Sequence, residues 1–309
     1  MISRRNIRVK VMQILYALET AESPLASLED ARRLIDPHLD QSEAIYAYLL
    51  YFLTEVASYA RTDAQIRASK LLPTPEDLNV NTKIADNKWV KYLQEHPVFQ
   101  QKKKKALLEH VIDMDLVKKI YHQLIELDVY RFYIIAAERD EKEEKEILSY
   151  IFHELMMKNE EFDQHMEDNF PHWPDDRDMM SVLINNFFQK PTGIDFNSIV
   201  PEEKRVYAAE LLFTASEKKS YCRDLIAPKL EHWDPERIAV IDMILMIMAI
   251  CEFLYFPTIP TKVTINEYID IAKAYSTPQS GQFVNGILDN ILKDLEAQEK
   301  IQKTDQARN

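Results

Sequence analysis

The sequence has 309 residues, 29% charged and 46% hydrophobic, the balance of a globular chain with about two domains or one large one. Only three residues are glycine, roughly 1% against an average near 7%, which disfavours phosphate-cradling loops, Rossmann folds and hairpin-rich β folds and leaves an all-α protein. The net charge of −13 argues against a chain coated in nucleic acid, yet the charge is uneven: residues 1–23 carry Arg4, Arg5, Arg8 and Lys10 against Glu19 and Glu22, a basic tip on an acidic body.

Residues 4–20 put Ile7, Val11, Ile14, Leu15 and Leu18 on one stripe and are predicted as an amphipathic helix capped by Ser3. A second helix is predicted over about 25–36, stopped before Pro37. Residues 41–72 form a long helical pattern broken at Pro73-Thr74-Pro75, and a polar loop follows to about Asn87. Residues 88–169 are helical again, with dense charge. The segment Phe170 to Asp176 reads as a loop, and 177–189 as a shorter helix ending at Lys190-Pro191-Thr192-Gly193.

Periodicity resumes at Pro201 and runs to about Ala227. Asp234-Pro235-Glu236 starts the next helix, which extends to about Phe256. Its most apolar run, Met243 to Cys251, is bounded by Asp242 and Glu252; it is too short to span a bilayer and fits a buried core helix. Thr264 to Glu267 has capping-box spacing and opens a helix continuing through Ile269, Ala272 and Tyr275. Ser276-Thr277-Pro278 ends it and begins the last helix, carried by Phe283, Ile287, Ile291 and Leu295. Gly281 and Gly286 fall inside this last helix, where each costs about 1 kcal/mol relative to alanine, and they predict close approach of a packed helix or a ligand.

Chemical motifs are sparse. Gly281 to Gly286 has the glycine spacing of a Walker A loop, but Ile287 stands where its lysine must be. His153-Glu154 begins a zincin motif that Met157 ends. The 15 acidic and 5 basic residues of 138–178 read as solvated helix faces rather than paired catalytic carboxylates. Cys222 and Cys251 lie in apolar helical contexts and are predicted to be buried free thiols in a reducing cytoplasm. No secretory signal order is present at the N-terminus. No activated nucleophile, metal cluster or cofactor motif appears, so neither an enzyme nor a cofactor is expected.

What survives is the N-terminal helix. Arg4 and Arg8 are i, i+4 neighbours and Arg5 and Arg8 are i, i+3, so three guanidiniums gather where the helix dipole is already positive, an arrangement that favours an anion. One face continues as Arg5, Arg8, Met12 and Tyr16, placing an aromatic ring near the cluster. Arginine with aromatic residues grips single-stranded RNA by neutralising backbone and stacking bases. Lys102 to Lys105 is a second basic run, read as a solvated helix surface or an auxiliary contact.

Two separated blocks resemble the family of transcription antitermination factor NusB. The first is Arg4-Arg5-x-x-Arg8 followed by Gln13-Ile14-Leu15-Tyr16. The second runs from about Val206 to Leu295. Within it, Ile259 to Glu267 is similar to the family's Pro-x-Lys-Val-x-Ile-Asn-Glu segment, and Ile271 to Tyr275 and Phe283 to Asp289 match its next two pieces. The resemblance covers about 130 residues.

The resemblance implies an all-α core of two packed three-helix bundles: residues 1–23 supply its first helix, 200–309 the remainder and a C-terminal tail, and 24–199 a helical insertion that includes a second core helix or not at about 25–36. It implies a non-catalytic adaptor that binds the boxA element of ribosomal RNA leader transcripts together with NusE, a small-subunit ribosomal protein, and joins an RNA polymerase elongation complex.

Carried over by position, Arg4, Arg5 and Arg8 meet the RNA backbone. Tyr16 lies at the edge between RNA and partner, Gln279, Ser280 and Phe283 lie on the RNA face, and Asp242 contacts NusE. Gln279 stands where members often carry Asp, which removes repulsion of phosphate; Asn6 interrupts the arginine run; Met243 and Ile247 stand where the family often has Arg. Two other readings compete: a ribosomal RNA modification accessory, since some cytosine methyltransferases carry a similar helical domain, and a homo-oligomer, with a homodimer its simplest form, whose insertion is the interface.

Overall fold

Helix α1 (Arg4–Ala21) forms where the apolar stripe predicts it, burying Ile7, Val11, Met12 and Ile14, and Ser3 Oγ accepts the Asn6 N–H at 3.1 Å as its N-cap. The computed structural model describes residues 1–21, 25–230 and 238–304, and among them every regular element is helical, with no strand. No described helix is long and apolar enough to cross a membrane.

Helix α2 (Leu28–Ala68) corrects the expected break before Pro37. One helix of 41 residues runs through that proline, replacing the two predicted at about 25–36 and 41–72. A proline inside a helix forfeits a backbone bond and costs about 3 kcal/mol. Ala31, Ile35 and Leu39 before and just after it are completely buried, and apolar burial of about 1.5–3 kcal/mol for each large side chain outweighs that cost. Ser27 caps the start, accepting the Asp30 N–H at 3.2 Å.

The chain divides into two compact units, residues 40–199 with Met1, and residues 2–39 with 200–309, so α2 contributes 28–39 to one and 40–68 to the other. The first unit holds α3 (Pro75–Leu78), α4 (Lys88–Glu95), α5 (Pro97–Lys105), α6 (Met114–Ile125), α7 (Asp128–Ile135), α8 (Glu141–Tyr150), α9 (Glu160–Asn169) and α10 (Trp173–Gln189).

The segment expected as a loop to Asn87 instead folds α3, on a capping box between Thr74 and Asp77, and a 3-10 turn over Lys83–Asp86. Helix α10 begins at Trp173, inside the expected loop, because Pro174 falls in a first turn where its missing N–H is harmless. Lys102 and Lys103 of the basic run pair with Glu43 and Glu109.

The second unit adds α11 (Glu202–Glu217), α12 (Lys219–Ile226), α13 (Val240–Tyr255), α14 (Thr261–Tyr275) and α15 (Ser280–Ala297) to α1. The single helix expected over 202–227 is split at Lys218. The expected start at Asp234-Pro235-Glu236 lies outside the described residues. Helix α13 is the axis of this unit: every residue from Leu245 to Phe253 is buried, and α1, α11, α12, α14 and α15 all pack against it. Cys222 and Cys251 are buried and unbridged, their Sγ atoms 3.7 Å apart.

The two glycines of α15 differ. A Cβ at Gly281 would lie 2.8 Å from Lys273 Cγ, so the lysine stem from α14 uses the space a side chain would need. A Cβ at Gly286 would meet nothing within 4 Å, so the close approach expected there is absent.

Candidate nucleic-acid interface

The N-terminal end of α1 is anchored on one buried carboxylate. Glu252, near the end of α13, is 0% exposed. Its Oε1 accepts from Arg8 Nε at 2.8 Å, Tyr207 OH at 2.6 Å and Tyr268 OH at 2.9 Å, and its Oε2 accepts from Arg8 Nη2 at 3.0 Å and Thr264 Oγ1 at 2.9 Å. Burial pushes the Glu252 carboxyl up, but Arg8 and the hydroxyl donors outweigh it and hold it below the usual carboxylate range. Burial and the Glu252 charge raise both tyrosines well above their ordinary values, so both keep the protons they donate. At the end of α13, Lys303 donates to the backbone carbonyls of Glu252 and Phe256, each at 2.8 Å, and burial brings its pKa down to about 8.

This geometry separates the three arginines. Arg8 is 1% exposed, bidentate to Glu252, and lies over the Tyr268 ring at 5.5 Å. The expectation of a guanidinium presented to an RNA backbone is therefore corrected for Arg8, whose charge is already neutralised inside the protein. Arg5 is at the surface and holds Glu267 through Nε and Nη2, each at 3.2 Å, and Asp270 through Nη2 at 2.9 Å. Glu267 links the two, since its Oε2 also accepts from Arg8 Nη1 at 3.3 Å. Arg4 is exposed, makes no ion pair among the described residues, and lies 5.7 Å over the Tyr207 ring. Beside it, Lys204 ties the chain start by donating to the Ile2 carbonyl at 2.6 Å.

The other expected site residues fall elsewhere. Asp242 lies ten residues before Glu252 on α13, about 15 Å along the helix. It is buried, and its Oδ2 accepts from Ser280 Oγ at 2.7 Å. Asp242 Oδ1 is buried without a hydrogen-bond partner among the described residues. Ser280 is buried among Asp242, Ser276 and Thr277, and Phe283 is buried in the α15 packing face, so neither is open to a ligand. Gln279, the N-cap position of α15, is exposed. Tyr16 is 44% exposed but lies about two turns along α1 from Arg8 and about three from Arg4 and Arg5. Met12 between them is buried, so the expected continuous Arg5-Arg8-Met12-Tyr16 surface does not form; the rings beside the guanidiniums are Tyr207 and Tyr268.

The residues missed from sequence are the carboxylates and tyrosines that receive the arginines. Glu252 carried a signal: a charged side chain at the edge of a wholly apolar helix run must be paired when buried. The capping-box spacing points to Thr264 as the start of a helix, but α14 starts at Thr261, and the Thr264 hydroxyl donates to Glu252. Among the described residues no group of three or more His, Cys, Asp or Glu is placed to hold a metal ion. At the surface the site offers the Arg4 guanidinium, beside the buried ring of Tyr207, a cation suited to holding an anion.

The sequence model of the NusB family matches residues 182–293. The chain is 39% identical over 99 residues to the transcription antitermination protein NusB of Koribacter versatilis, a match covering 32% of this chain and 68% of that one. It is 35% identical over 125 residues to the protein of the same name from Dictyoglomus turgidum, covering 39% of this chain and 86% of that one. A solved structure of T. maritima NusB shares 38% identity over 34% of this chain and 77% of its own, with a TM-score of 0.30. With the Koribacter and Dictyoglomus relatives at least 35% identical and matched over more than two thirds of their own length, the chain belongs to the NusB family.

Proposed function

We propose that this chain is an RNA-binding transcription antitermination factor. In this reading it binds boxA-type ribosomal RNA leader sequence together with NusE, joins an RNA polymerase elongation complex, and catalyses no reaction. Its relatives are named as transcription antitermination proteins. The observation that carries the reading is Arg4 at the start of α1, an exposed guanidinium with no ion pair among the described residues, its Cζ 5.7 Å from the centre of the Tyr207 ring. A planar exposed cation is suited to the oxygens of a backbone phosphate.

Arg4 and Arg5 are the backbone contacts in this reading, and Gln279 adds an uncharged donor. Arg8, Ser280 and Phe283 act from inside, fixing α1 and the start of α15. Tyr16 lies at the edge toward the protein partner. Asp242 is assigned to NusE by its position in the family's pattern alone, since its carboxylate is buried against Ser280. The 24–199 segment is read as an insertion into the family's core, with its compact part at 40–199.

The test is salt dependence. For single strands, log affinity falls with log salt by about 0.7 per neutralised phosphate. Arg4→Ala is expected to flatten that slope by about one contact and to weaken boxA and unrelated RNA alike. An unchanged slope contradicts the assignment of Arg4.

A further inference from the structure

Asp270 sits between two cations on the exposed face of this site. Arg5 Nη2 is 2.9 Å from its Oδ2, and Lys273 Nζ, one turn further along α14, is 3.7 Å from its Oδ1. Arg5 is 49% exposed and Asp270 45%, so water and solutes reach the cluster. Glu267 is different: it is mostly covered and is also fixed by Arg8, so it holds Arg5 in place while Asp270 is free to leave. The Lys273 stem runs over Gly281, and a Cβ at that position would lie 2.8 Å from Cγ, so the glycine gives the lysine its path.

We propose that Arg5 and Lys273 form the seat of one RNA backbone phosphate, which Asp270 occupies in the free protein and yields when RNA binds. The inference rests on the RNA reading above and adds Lys273, Asp270 and Gly281 to it. A carboxylate and a phosphate present the same chemistry to a guanidinium and an ammonium: anionic oxygens accepting charge-assisted hydrogen bonds. The exchange is nearly balanced because an ion pair this exposed is weak. Binding therefore releases one carboxylate for each phosphate seated, and the apparent affinity is lower than the count of cations implies.

The experiment is a double-mutant cycle on the full chain with Asp270→Asn and Lys273→Met, the methionine keeping a stem over Gly281. Binding is measured to single-stranded boxA RNA and separately to inorganic tripolyphosphate. Both side chains lie on the surface, and circular dichroism melting verifies the fold of each variant. Asp270→Asn is expected to tighten RNA binding up to about fivefold and to steepen the salt slope by about 0.7.

The decisive term is the coupling. With Asp270 present, Lys273→Met is expected to weaken binding less than about twofold, because the lysine is already neutralised; in the Asp270→Asn background it weakens it about fivefold. Equal effects in both backgrounds mean that only net charge matters, and overturn the seat. If tripolyphosphate shows the coupling while the wild-type chain binds no RNA, the RNA reading fails and the anion seat stands. A flat cycle with both probes, in a chain that does bind RNA, overturns the seat alone.

Discussion

Arg8→Ala is expected to destabilise the unit of residues 2–39 and 200–309 by about 3–5 kcal/mol, because it leaves Glu252 charged and buried without its counterion. Glu252→Ala should cost as much for a second reason. It leaves Arg8 unpaired and also removes the acceptor of three buried hydroxyls, on Tyr207, Thr264 and Tyr268. For that reason, replacing Arg8 and Glu252 together by apolar residues restores only part of the loss, unlike a simple ion pair. Native-state hydrogen exchange of α1, α13 and α14 amides reads the effect, and a loss below about 1 kcal/mol contradicts the hub. The pH dependence has a definite sign. The Glu252 carboxyl is held below its unfolded value of about 4.3, so its contribution is complete above that pH and is lost as pH falls through the lower folded value. Glu252→Gln should remove that part of the acid sensitivity.

The second large effect lies in the other unit. Glu144 is 1% exposed and gathers the start of α4 and the end of α7. Its Oε2 accepts the Lys88 N–H at 2.5 Å, and its Oε1 accepts Tyr133 OH at 2.9 Å and Arg139 Nη1 at 2.7 Å. Asn87, which caps α4, donates to the Glu144 carbonyl at 2.8 Å. Glu144→Ala orphans two buried donors at about 1–3 kcal/mol each, so a loss of about 3 kcal/mol is expected, with little change on Arg139→Lys. Trp89 lies in the first turn of α4, so chemical denaturation followed by tryptophan fluorescence reports on this site. A Glu144→Ala chain with an unshifted midpoint contradicts the assignment.

The elements were legible where a local pattern decides them. The stripe of Ile7, Val11 and Ile14 with Ser3 before it specified α1, and the continuous apolar run after Asp242 specified α13. They were not legible where distant packing overrules a local signal. Pro37 reads as a stop, but Ile35 and Leu39 are held in a core that nearby sequence does not reveal. Thr264 reads as a cap, but its hydroxyl is needed by a carboxylate twelve residues earlier.

The same limit applies to the site. The arginine cluster was visible as residue types at helical spacing, and so was the peculiarity of glycine at Gly281. What spacing cannot say is which side of α1 meets the protein. Arg8 borders the buried stripe and meets Glu252, 244 residues away; Arg4 and Arg5, on the open side, stay at the surface. A cation placed next to an apolar stripe is as ready to neutralise a buried acid as to meet a phosphate, and only the fold distinguishes the two.

Binding of the full chain to a boxA RNA and to a scrambled RNA of the same composition, each with and without NusE at one fixed salt concentration, separates sequence-specific recognition from contact by charge alone. Tighter binding to boxA than to the scrambled RNA is expected, with the preference strengthened by NusE. Equal affinity for the two RNAs in both conditions contradicts recognition of boxA.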